Sequence, residues 1–194
     1  MVRTQRLTET FTAKLTPEGA LAVQRVSPRN NGTGDDVEKF AGRRVPPLPP
    51  RPDLKQVKFG APVALFNGRD LAGWSLIEKN QFNAWAVENG TLVNRPPARE
   101  PGKPAVHSGN LRTDQEFTDF NLTLEVNVPA GSNSGVYLRG VYEIQVADTY
   151  GKPLDPHNMG ALYSRITPSV AAERKPGEWQ TLAITLVDRH VTVV

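Results

Sequence analysis

Short segments in which apolar and polar residues alternate follow one another along most of this chain. From Pro62 onward they are separated by turn-forming residues at close intervals. Successive side chains of a β-strand point to opposite faces of a sheet, so this alternation predicts strands that each bury one face. Good helix candidates are absent from the same region. Many short strands with regular turns are typical of an all-β sandwich or barrel.

The 194 residues predict one sizeable domain preceded by an extension. Residues 1–45 contain two alternating segments around Pro17-Glu18-Gly19, which predicts a β-hairpin and indicates the remnant of an upstream β segment. Residues 46–61 are proline-rich and predict a stiff linker. Residues 62–194 form the predicted domain. Its last strand pattern is interrupted at Val194, so we expect a sandwich that is incomplete at its C-terminus.

Composition excludes several classes of protein and site. The chain has no cysteine, which excludes a disulfide framework and a cysteine nucleophile. No apolar run approaches the roughly 20 residues that span a bilayer. The net charge of +3 comes from scattered residues and gives no support for nucleic-acid binding. The histidines are too far apart for a zinc motif, so no cofactor is evident, although loop carboxylates leave a divalent metal open.

The segment 133–148 predicts two strands around a glycine turn, with one strongly polar face. Arg139, Glu143 and Gln145 would place a guanidinium, a carboxylate and an amide side by side, a set that suits a polyhydroxylated ligand. Directly paired residues of antiparallel strands share a face, so Arg139 meets Glu143 if residues 140–142 form the connection. A two-residue turn would instead pair apolar Leu138 with Glu143. We therefore predict a three-residue connection in which Gly140 supplies a positive φ.

The preceding strand has the same alternation over residues 119–128. Its apolar residues share one face, and Glu125 lies on the other. If the connection at residues 129–132 contains a bulge, Glu125 is expected near Tyr137 and Arg139.

A series of motifs follows the strand pattern to the end of the chain. They are LFNGRDLAGW (65–74), W-x-V-x-N-G-T-L (85–92), GNLRT (109–113), DFNLTLEV (119–126), NSGVYLRG (133–140), YEIQVAD (142–148), GALY (160–163) and KPGEWQT (175–181). Together they resemble the 3-keto-disaccharide hydrolase domain, over residues 62–194. The resemblance implies a concanavalin A-like jelly roll of two antiparallel sheets, one of them concave and facing the ligand. It also implies action on glycosides oxidised at C3 in exported bacterial proteins, and hence a periplasmic or secreted location.

The resemblance bears on which polar residues carry chemistry. Arg139 is either half of a cross-strand ion pair or a stabiliser of an anion or carbonyl, and the resemblance favours the second role. Glu125 and Glu143 are either solvated strand residues or paired carboxylates of a glycosidase. The amide of Gln145 suits a sugar hydroxyl. His157, in a loop beside the sheet, is a candidate proton shuttle.

Three further residues are candidate substrate ligands. Tyr137 shares the polar face of the hairpin. Tyr163 could contact a sugar ring, with core packing equally open. Asp148 ends a strand, where a turn-forming role is the alternative. The tryptophans are predicted to be core residues first and sugar platforms second: Trp74, Trp85 and Trp179.

Oxidation at C3 of a sugar permits a particular cleavage chemistry. The ketone acidifies the C2 proton, elimination then expels the C1 substituent, and water adds to give the free 3-keto-sugar. This route needs a base, donors for the enolate oxygen and an acid at the leaving oxygen. The predicted allocation is Glu125 or Glu143 as base, Arg139 as enolate stabiliser, Gln145 as substrate positioner, and His157 or Tyr163 as acid.

Two other functions stay open at this point. A lectin-like carbohydrate-binding module would need the polar face but no matched base and acid. A scaffold domain of a larger protein would need neither. A fold does not fix a function, and the hydrolase interpretation leads because the matching motifs lie on the polar strands. A carbohydrate is thus the predicted partner, with no nucleic acid and no membrane span, and the pattern does not indicate an oligomeric state.

Overall fold

The computed structural model describes residues 8–29, 32–43, 45–47, 49–98, 100–104 and 106–194. The chain divides into two compact units, Met1–Pro50 and Arg51–Val194. Within the described residues the regular secondary structure consists of strands in antiparallel sheets, without a helix. None of this described part therefore offers a helix that could cross a membrane. The predicted all-β class is confirmed.

The first unit is a three-stranded antiparallel sheet with the order β1-β2-β3. Its strands are β1 (Thr10–Leu15), β2 (Leu21–Pro28) and β3 (Asp35–Gly42). The first two form the predicted hairpin, and Gly19 has φ 78° in the turn between them. The third strand was not predicted. Parts of the predicted upstream segment and linker, residues 1–7, 30, 31, 44 and 48, lie outside the described residues.

The second unit contains several antiparallel sheets, with the strand orders β12-β11-β8, β10-β9, β4-β7 and β5-β6. Their strands are β4 (Trp74–Leu76), β5 (Trp85–Glu88), β6 (Thr91–Asn94), β7 (Leu111–Thr113), β8 (Phe120–Asn127), β9 (Asn133–Leu138), β10 (Tyr142–Ala147), β11 (Trp179–Val187) and β12 (His190–Val193).

Alternation along the longer strands builds the core of the second unit. The apolar faces of β8–β12 meet in one cluster, in which Ile144 and Ile184 are completely buried. Full burial of such a side chain contributes about 1.5–3 kcal/mol. β8 adds its even-numbered residues from Phe120 to Val126, as its alternation predicted. The core thus fixes one face of the β9–β10 hairpin and leaves the other face available for a site.

The connection between β9 and β10 has three residues, as predicted, but it lies one residue earlier than expected. Tyr142 pairs with Leu138 and Glu143 pairs with Tyr137, so residues 139–141 form the connection. Arg139 is in the left-handed region with φ 52° and is part of the turn. The predicted pairing of Arg139 with Glu143 is therefore wrong. Polar and apolar faces are nevertheless kept, because the shift leaves the number of connecting residues odd.

A segment at residues 160–163 extends the β9–β10 hairpin on its β10 side. The backbone N–H of Tyr163 donates to Glu143 O at 2.9 Å, and that of Gln145 donates to Ala161 O at 3.0 Å. Gly160 N–H returns a bond to Gln145 O at 2.9 Å. These bonds hold the residues after 160 beside the polar strand β10.

Two of the three tryptophans are partly buried, but neither belongs to the core cluster of the second unit. Trp74 and Trp85 are half-buried, and their indole N–H groups donate to Leu65 O at 2.7 Å and Gly109 O at 3.0 Å. Trp179 is 48% exposed, so its core prediction is wrong. It begins β11 opposite Asn127, on the face turned away from the core.

Candidate active site

The polar face of the β9–β10 hairpin forms one wall of an open cleft of about 400 Å³. The segment that follows residue 160 forms the other wall. The lining residues are Tyr137, Val141, Tyr142, Glu143, Leu162, Tyr163, Ser164 and Arg165. Three of the predicted site residues, Tyr137, Glu143 and Tyr163, thus lie together in this cleft.

Glu143 is held in the cleft wall by its cross-strand neighbour. The hydroxyl of Tyr137 donates to Glu143 Oε2 at 3.0 Å. This hydrogen bond, with some burial and the negative charge of Glu143, raises the pKa of Tyr137 above its ordinary value of 10.0. Tyr137 therefore keeps its proton at neutral pH and remains a donor. With Oε2 bonded, Oε1 is the oxygen of Glu143 that is left to accept a proton.

Gly135 provides the space that the Glu143 carboxylate occupies. A Cβ at position 135 would lie 2.1 Å from Glu143 Oε1 and 2.6 Å from its Cγ, closer than real Cβ contacts allow. Glycine is therefore required here for close approach rather than for an unusual φ. The N-S-G sequence at the start of β9 thus sets the position of a carboxylate on β10.

Gln145 is buried more deeply than is expected of a residue that contacts a ligand in the cleft. It is only 4% exposed, and it pairs with Gly135 across the hairpin. Its Oε1 is buried without a hydrogen-bond partner among the described residues, as is Nδ2 of Asn158. Buried polar atoms without partners are rare and often mark functional sites. Gln145 therefore stays a candidate, although it does not line the cleft.

His157 belongs to a row of exposed polar side chains that ends at the cleft residue Ser164; its own side chain is 51% exposed and that of Asp155 is 58% exposed. Its Nε2 lies 3.0 Å from Ser164 Oγ, and its Nδ1 lies 3.3 Å from Asp155 Oδ1. The imidazole also makes an edge contact with the Tyr163 ring, with centroids 5.1 Å apart. Ser164 lines the cleft and His157 does not. The predicted proton shuttle is thus reached from the cleft through a serine that the sequence analysis did not single out.

Arg139 is positioned away from Glu143, in contrast to its predicted position. Its guanidinium donates to Thr118 O at 3.1 Å, to Asp188 O at 2.8 Å and to Asp119 Oδ1 at 3.0 Å. Asp119 Oδ1 also accepts the N–H of Asp188 at 3.0 Å. These contacts connect the hairpin turn to the start of β8 and to the β11–β12 turn. The observed contacts of Arg139 are therefore structural.

Glu125 is also separated from the cleft. It is exposed on β8 opposite Thr181 of β11. β8 pairs with β11 and not with β9, so the predicted position near Tyr137 and Arg139 is wrong. Sequence order suggested a hairpin between β8 and β9, whereas the two strands contribute to different sheets.

Asp148 forms a turn, which was the predicted alternative to a role in substrate binding. Its Oδ2 accepts the backbone N–H of Gly131 at 2.8 Å, and its own N–H donates to Ser132 O at 3.0 Å. Both bonds tie the end of β10 to the connection before β9. No contact in the described structure brings Asp148 to the cleft.

Arg165 is a cleft residue that the sequence analysis missed. Its guanidinium carbon lies 5.4 Å from the centroid of the Tyr142 ring, in a cation–π arrangement. It follows the GALY motif by two residues, and strand-like alternation from Tyr163 would have put both on one face. The cleft therefore contains a carboxylate, Glu143, and a guanidinium, Arg165, from its two walls.

Metal ligands do not cluster in the described residues. No group of three or more histidine, cysteine, aspartate or glutamate side chains in this part of the chain is arranged to hold an ion.

Comparisons with known proteins agree with the all-β fold. A crystal structure of a "putative glycosyl hydrolase" from Parabacteroides distasonis ATCC 8503 superposes with a TM-score of 0.53 and 22% identity, over 67% of this chain and 65% of that one. At this identity the likeness shows the fold alone, which is jelly-roll-like. A search of curated proteins returned no significant match. The family model described as a 3-keto-alpha-glucoside-1,2-lyase-like domain matches residues 61–194. This chain therefore belongs to the 3-keto-α-glucoside-1,2-lyase-like family.

Proposed function

We propose that this chain cleaves glycosides that carry a ketone at C3 of the sugar, by removing the C2 proton and expelling the C1 substituent. The observation that carries the proposal is the Glu143 carboxylate, which lies over Gly135 in the cleft wall and accepts the Tyr137 hydroxyl. The description of the family as 1,2-lyase-like supports elimination across C1 and C2.

Glu143 is the base in this proposal. A base for the C2 proton must have a free carboxylate oxygen at the cleft surface, in a fixed orientation. Tyr137 fixes Oε2, which leaves Oε1 to take the proton. Glu125, the other predicted base, is on the outer face of another sheet.

Arg165 replaces Arg139 as the group that stabilises the enolate. When the C2 proton leaves, its electron pair moves onto the C3 oxygen, which becomes negatively charged. A fixed cation at that oxygen is the kind of preorganised group that lowers such a barrier. Arg165 lines the cleft, whereas the donors of Arg139 are bonded to Thr118, Asp119 and Asp188.

The enolate then expels the C1 substituent. The C1–O bond breaks, its electrons go to the leaving oxygen, and that oxygen must gain a proton. Candidate donors are Tyr163, which lines the cleft, and His157, whose exposed ring contacts that of Tyr163. The unsaturated ketone that remains can add water at C1 and a proton at C2, which gives the free 3-keto-sugar.

The test uses a 3-keto-glucoside and its unoxidised parent with wild type and Glu143→Gln. Wild type is expected to cleave only the oxidised substrate, and the variant to lose about 10²–10⁴ in kcat. Equal turnover of the two substrates would contradict the C3-ketone route. Reaction in D₂O gives a second criterion, because elimination followed by hydration puts deuterium at C2 of the product. The control for spontaneous exchange is product incubated in D₂O without enzyme.

The alternative function, a carbohydrate-binding module, predicts a different outcome. A binding module would show tight calorimetric binding of the glycosides together with no turnover of the 3-keto-glucoside, since the unoxidised parent is not cleaved by the proposed route either. That result would make the cleft a binding site rather than an active site.

A further inference from the structure

Asp155, His157 and Ser164 are connected in a row that ends at the cleft. Asp155 Oδ1 lies 3.3 Å from His157 Nδ1 and accepts the backbone N–H of His157 at 2.6 Å. Ser164 Oγ lies 3.0 Å from Nε2 on the other side of the ring. Ser164 N–H donates to Pro156 O at 2.9 Å, so the backbone also joins Ser164 to the residue between Asp155 and His157.

The two neighbours of the imidazole determine its protonation pattern. Nδ1 faces the Asp155 carboxylate at 3.3 Å, and the negative charge there favours the ring form in which Nδ1 carries the proton. In the neutral ring Nε2 is then an acceptor, and the Ser164 hydroxyl is the donor. The serine oxygen keeps its lone pairs, and Ser164 is the member of the row that lines the cleft.

The conformation of Ser164 is unusual for its residue type. Its φ is 56°, in the left-handed region that L residues with a Cβ rarely adopt. Glycine would have this conformation without strain. Strain at a residue that places a hydroxyl between a histidine and a cleft motivates a functional hypothesis.

We propose that Ser164, His157 and Asp155 form a proton relay that protonates the leaving oxygen at C1, an inference that rests on the proposed function. The relay starts with both ring nitrogens protonated, so that Nε2–H donates to Ser164 Oγ. As the C1–O bond breaks, the leaving oxygen takes the Ser164 hydroxyl proton and Ser164 takes the Nε2 proton. The ring is then neutral, with Nε2 accepting from Ser164, while Glu143 holds the C2 proton. In hydration the direction reverses: water gives a proton to Ser164, Ser164 gives its own to Nε2, and the new C1–O bond forms. No net proton is gained by the protein over the two steps. Asp155 is a positioning residue, because it acts only through the imidazole.

The kinetic test compares leaving groups of different basicity. A 3-keto methyl glucoside must have its alkoxide leaving group protonated, whereas a 3-keto 4-nitrophenyl glucoside releases a stable phenolate without help. Ser164→Ala is expected to lose about 10²-fold in kcat with the methyl glucoside and less than about threefold with the nitrophenyl glucoside. The exposed Ser169 provides a matched control as Ser169→Ala, with both rates unchanged.

A second variant separates strain from chemistry. Ser164→Gly also lacks the hydroxyl but has no strain at φ 56°, so it is expected to be at least as stable as wild type in thermal unfolding. It should show the same leaving-group selectivity as Ser164→Ala. Equal losses on the two substrates in both variants, or no loss on the methyl glucoside, would overturn the relay. If wild type cleaves neither substrate, the proposed function fails and the relay has no reaction to serve.

The orientation of the imidazole can be measured without any substrate. ¹⁵N NMR at a pH where the ring is neutral is expected to show mainly the Nδ1–H tautomer for His157, assigned with a His157→Gln variant. Asp155→Asn is expected to shift the population toward Nε2–H. An unchanged tautomer ratio in Asp155→Asn would overturn the positioning role of Asp155, whether or not the 3-keto-glycosides are cleaved.

Discussion

The position of Glu143 depends on Gly135, which pairs with Gln145 two residues further along β10. Gly135→Ala would put a Cβ 2.1 Å from Glu143 Oε1, and the carboxylate is the movable partner because it ends a flexible side chain. We expect the substitution to rotate Glu143 away from Tyr137 and to lower kcat by about 10²-fold or more. The change in Tm should be small because the clash is with a side chain at the cleft surface. Thermal unfolding and turnover of a 3-keto-glucoside check both parts.

A matched control for Gly135→Ala lies next to it in β9. Ser134 is exposed and projects to the opposite side of the strand, so Ser134→Ala should keep both Tm and kcat. If Gly135→Ala keeps full activity as well, the Glu143 carboxylate is not the base in its observed position.

The pKa of Tyr137 can be used to measure its hydrogen bond with Glu143. The hydrogen bond to Glu143 raises the pKa of Tyr137 above 10.0, so the folded protein holds this proton more tightly than the unfolded chain. The resulting stabilisation is present below pH 10 and is lost as the pH rises through the raised pKa. In Glu143→Gln the pKa of Tyr137 should fall back toward its ordinary value. Tyrosinate absorbance, with Tyr137→Phe to identify the signal, measures the shift. Identical titration curves for wild type and Glu143→Gln would contradict the hydrogen bond.

The β9–β10 hairpin shows what alternation along a strand can and cannot predict. Leu138 and Ile144 must face the core, and this requirement predicted an odd number of connecting residues. It could not distinguish connections at 139–141 and 140–142, because both keep polar residues opposite polar ones. The left-handed φ of Arg139 decides between them, and sequence patterns favour glycine for that conformation. A one-residue difference therefore moved the guanidinium from the polar face into the turn.

Arg139, in the hairpin turn, and Arg165, on the opposite cleft wall, should affect different properties: Arg139 stability and Arg165 activity. Arg139 bonds to two backbone carbonyls and to Asp119. Because the side chain is partly exposed, we expect Arg139→Ala to lower the free energy of unfolding by only about 1–2 kcal/mol. Activity well below its Tm should remain. Arg165→Ala should leave stability within about 0.5 kcal/mol and reduce kcat by about 10²–10³.

Denaturant unfolding and initial rates on a 3-keto-glucoside measure the two effects in the same pair of variants. Each variant serves as the control for the other, since both remove one guanidinium from an exposed side chain. The reverse pattern, with activity lost in Arg139→Ala and retained in Arg165→Ala, would return the enolate-stabilising role to Arg139.

At the scale of the whole molecule, the all-β class and the residues that face the core could be predicted from alternation within each strand. The residues that line the cleft could not. The apolar residues of β8 and β11 face the core because alternation is a property of each strand by itself. The opposite cleft wall comes from residues 160–165, which bond to β10 through the backbone without forming a long alternating strand. The pairing of β8 with β11, about 60 residues later in the chain, is likewise non-local. Glu125 was therefore assigned to the wrong sheet, and Ser164 and Arg165 were missed.

The division of the chain into two units predicts where it can be cut without loss of the site. Every residue of the proposed site lies in the unit Arg51–Val194. Lys55 and Lys58 are exposed at the start of that unit, before its first strand at Trp74. Limited trypsin digestion is expected to cut at these lysines first, because proteolysis favours exposed segments without strand pairing. Lys152 and Lys175 also lie in loops, but each precedes a proline, which protects the bond from trypsin. Lys79 and Arg174 are exposed outside the strands without that protection, so short digestion times are used and the first cuts are identified from the earliest fragments.

The expected product of trypsin digestion is a fragment that begins at Gln56 or Phe59, identified by mass spectrometry. Because the core cluster and both cleft walls belong to this fragment, its kcat on a 3-keto-glucoside should stay within about twofold of the intact chain. A mock digest without trypsin gives the reference rate. If activity falls in step with the disappearance of the intact chain, the prediction is wrong and the first unit is needed for activity.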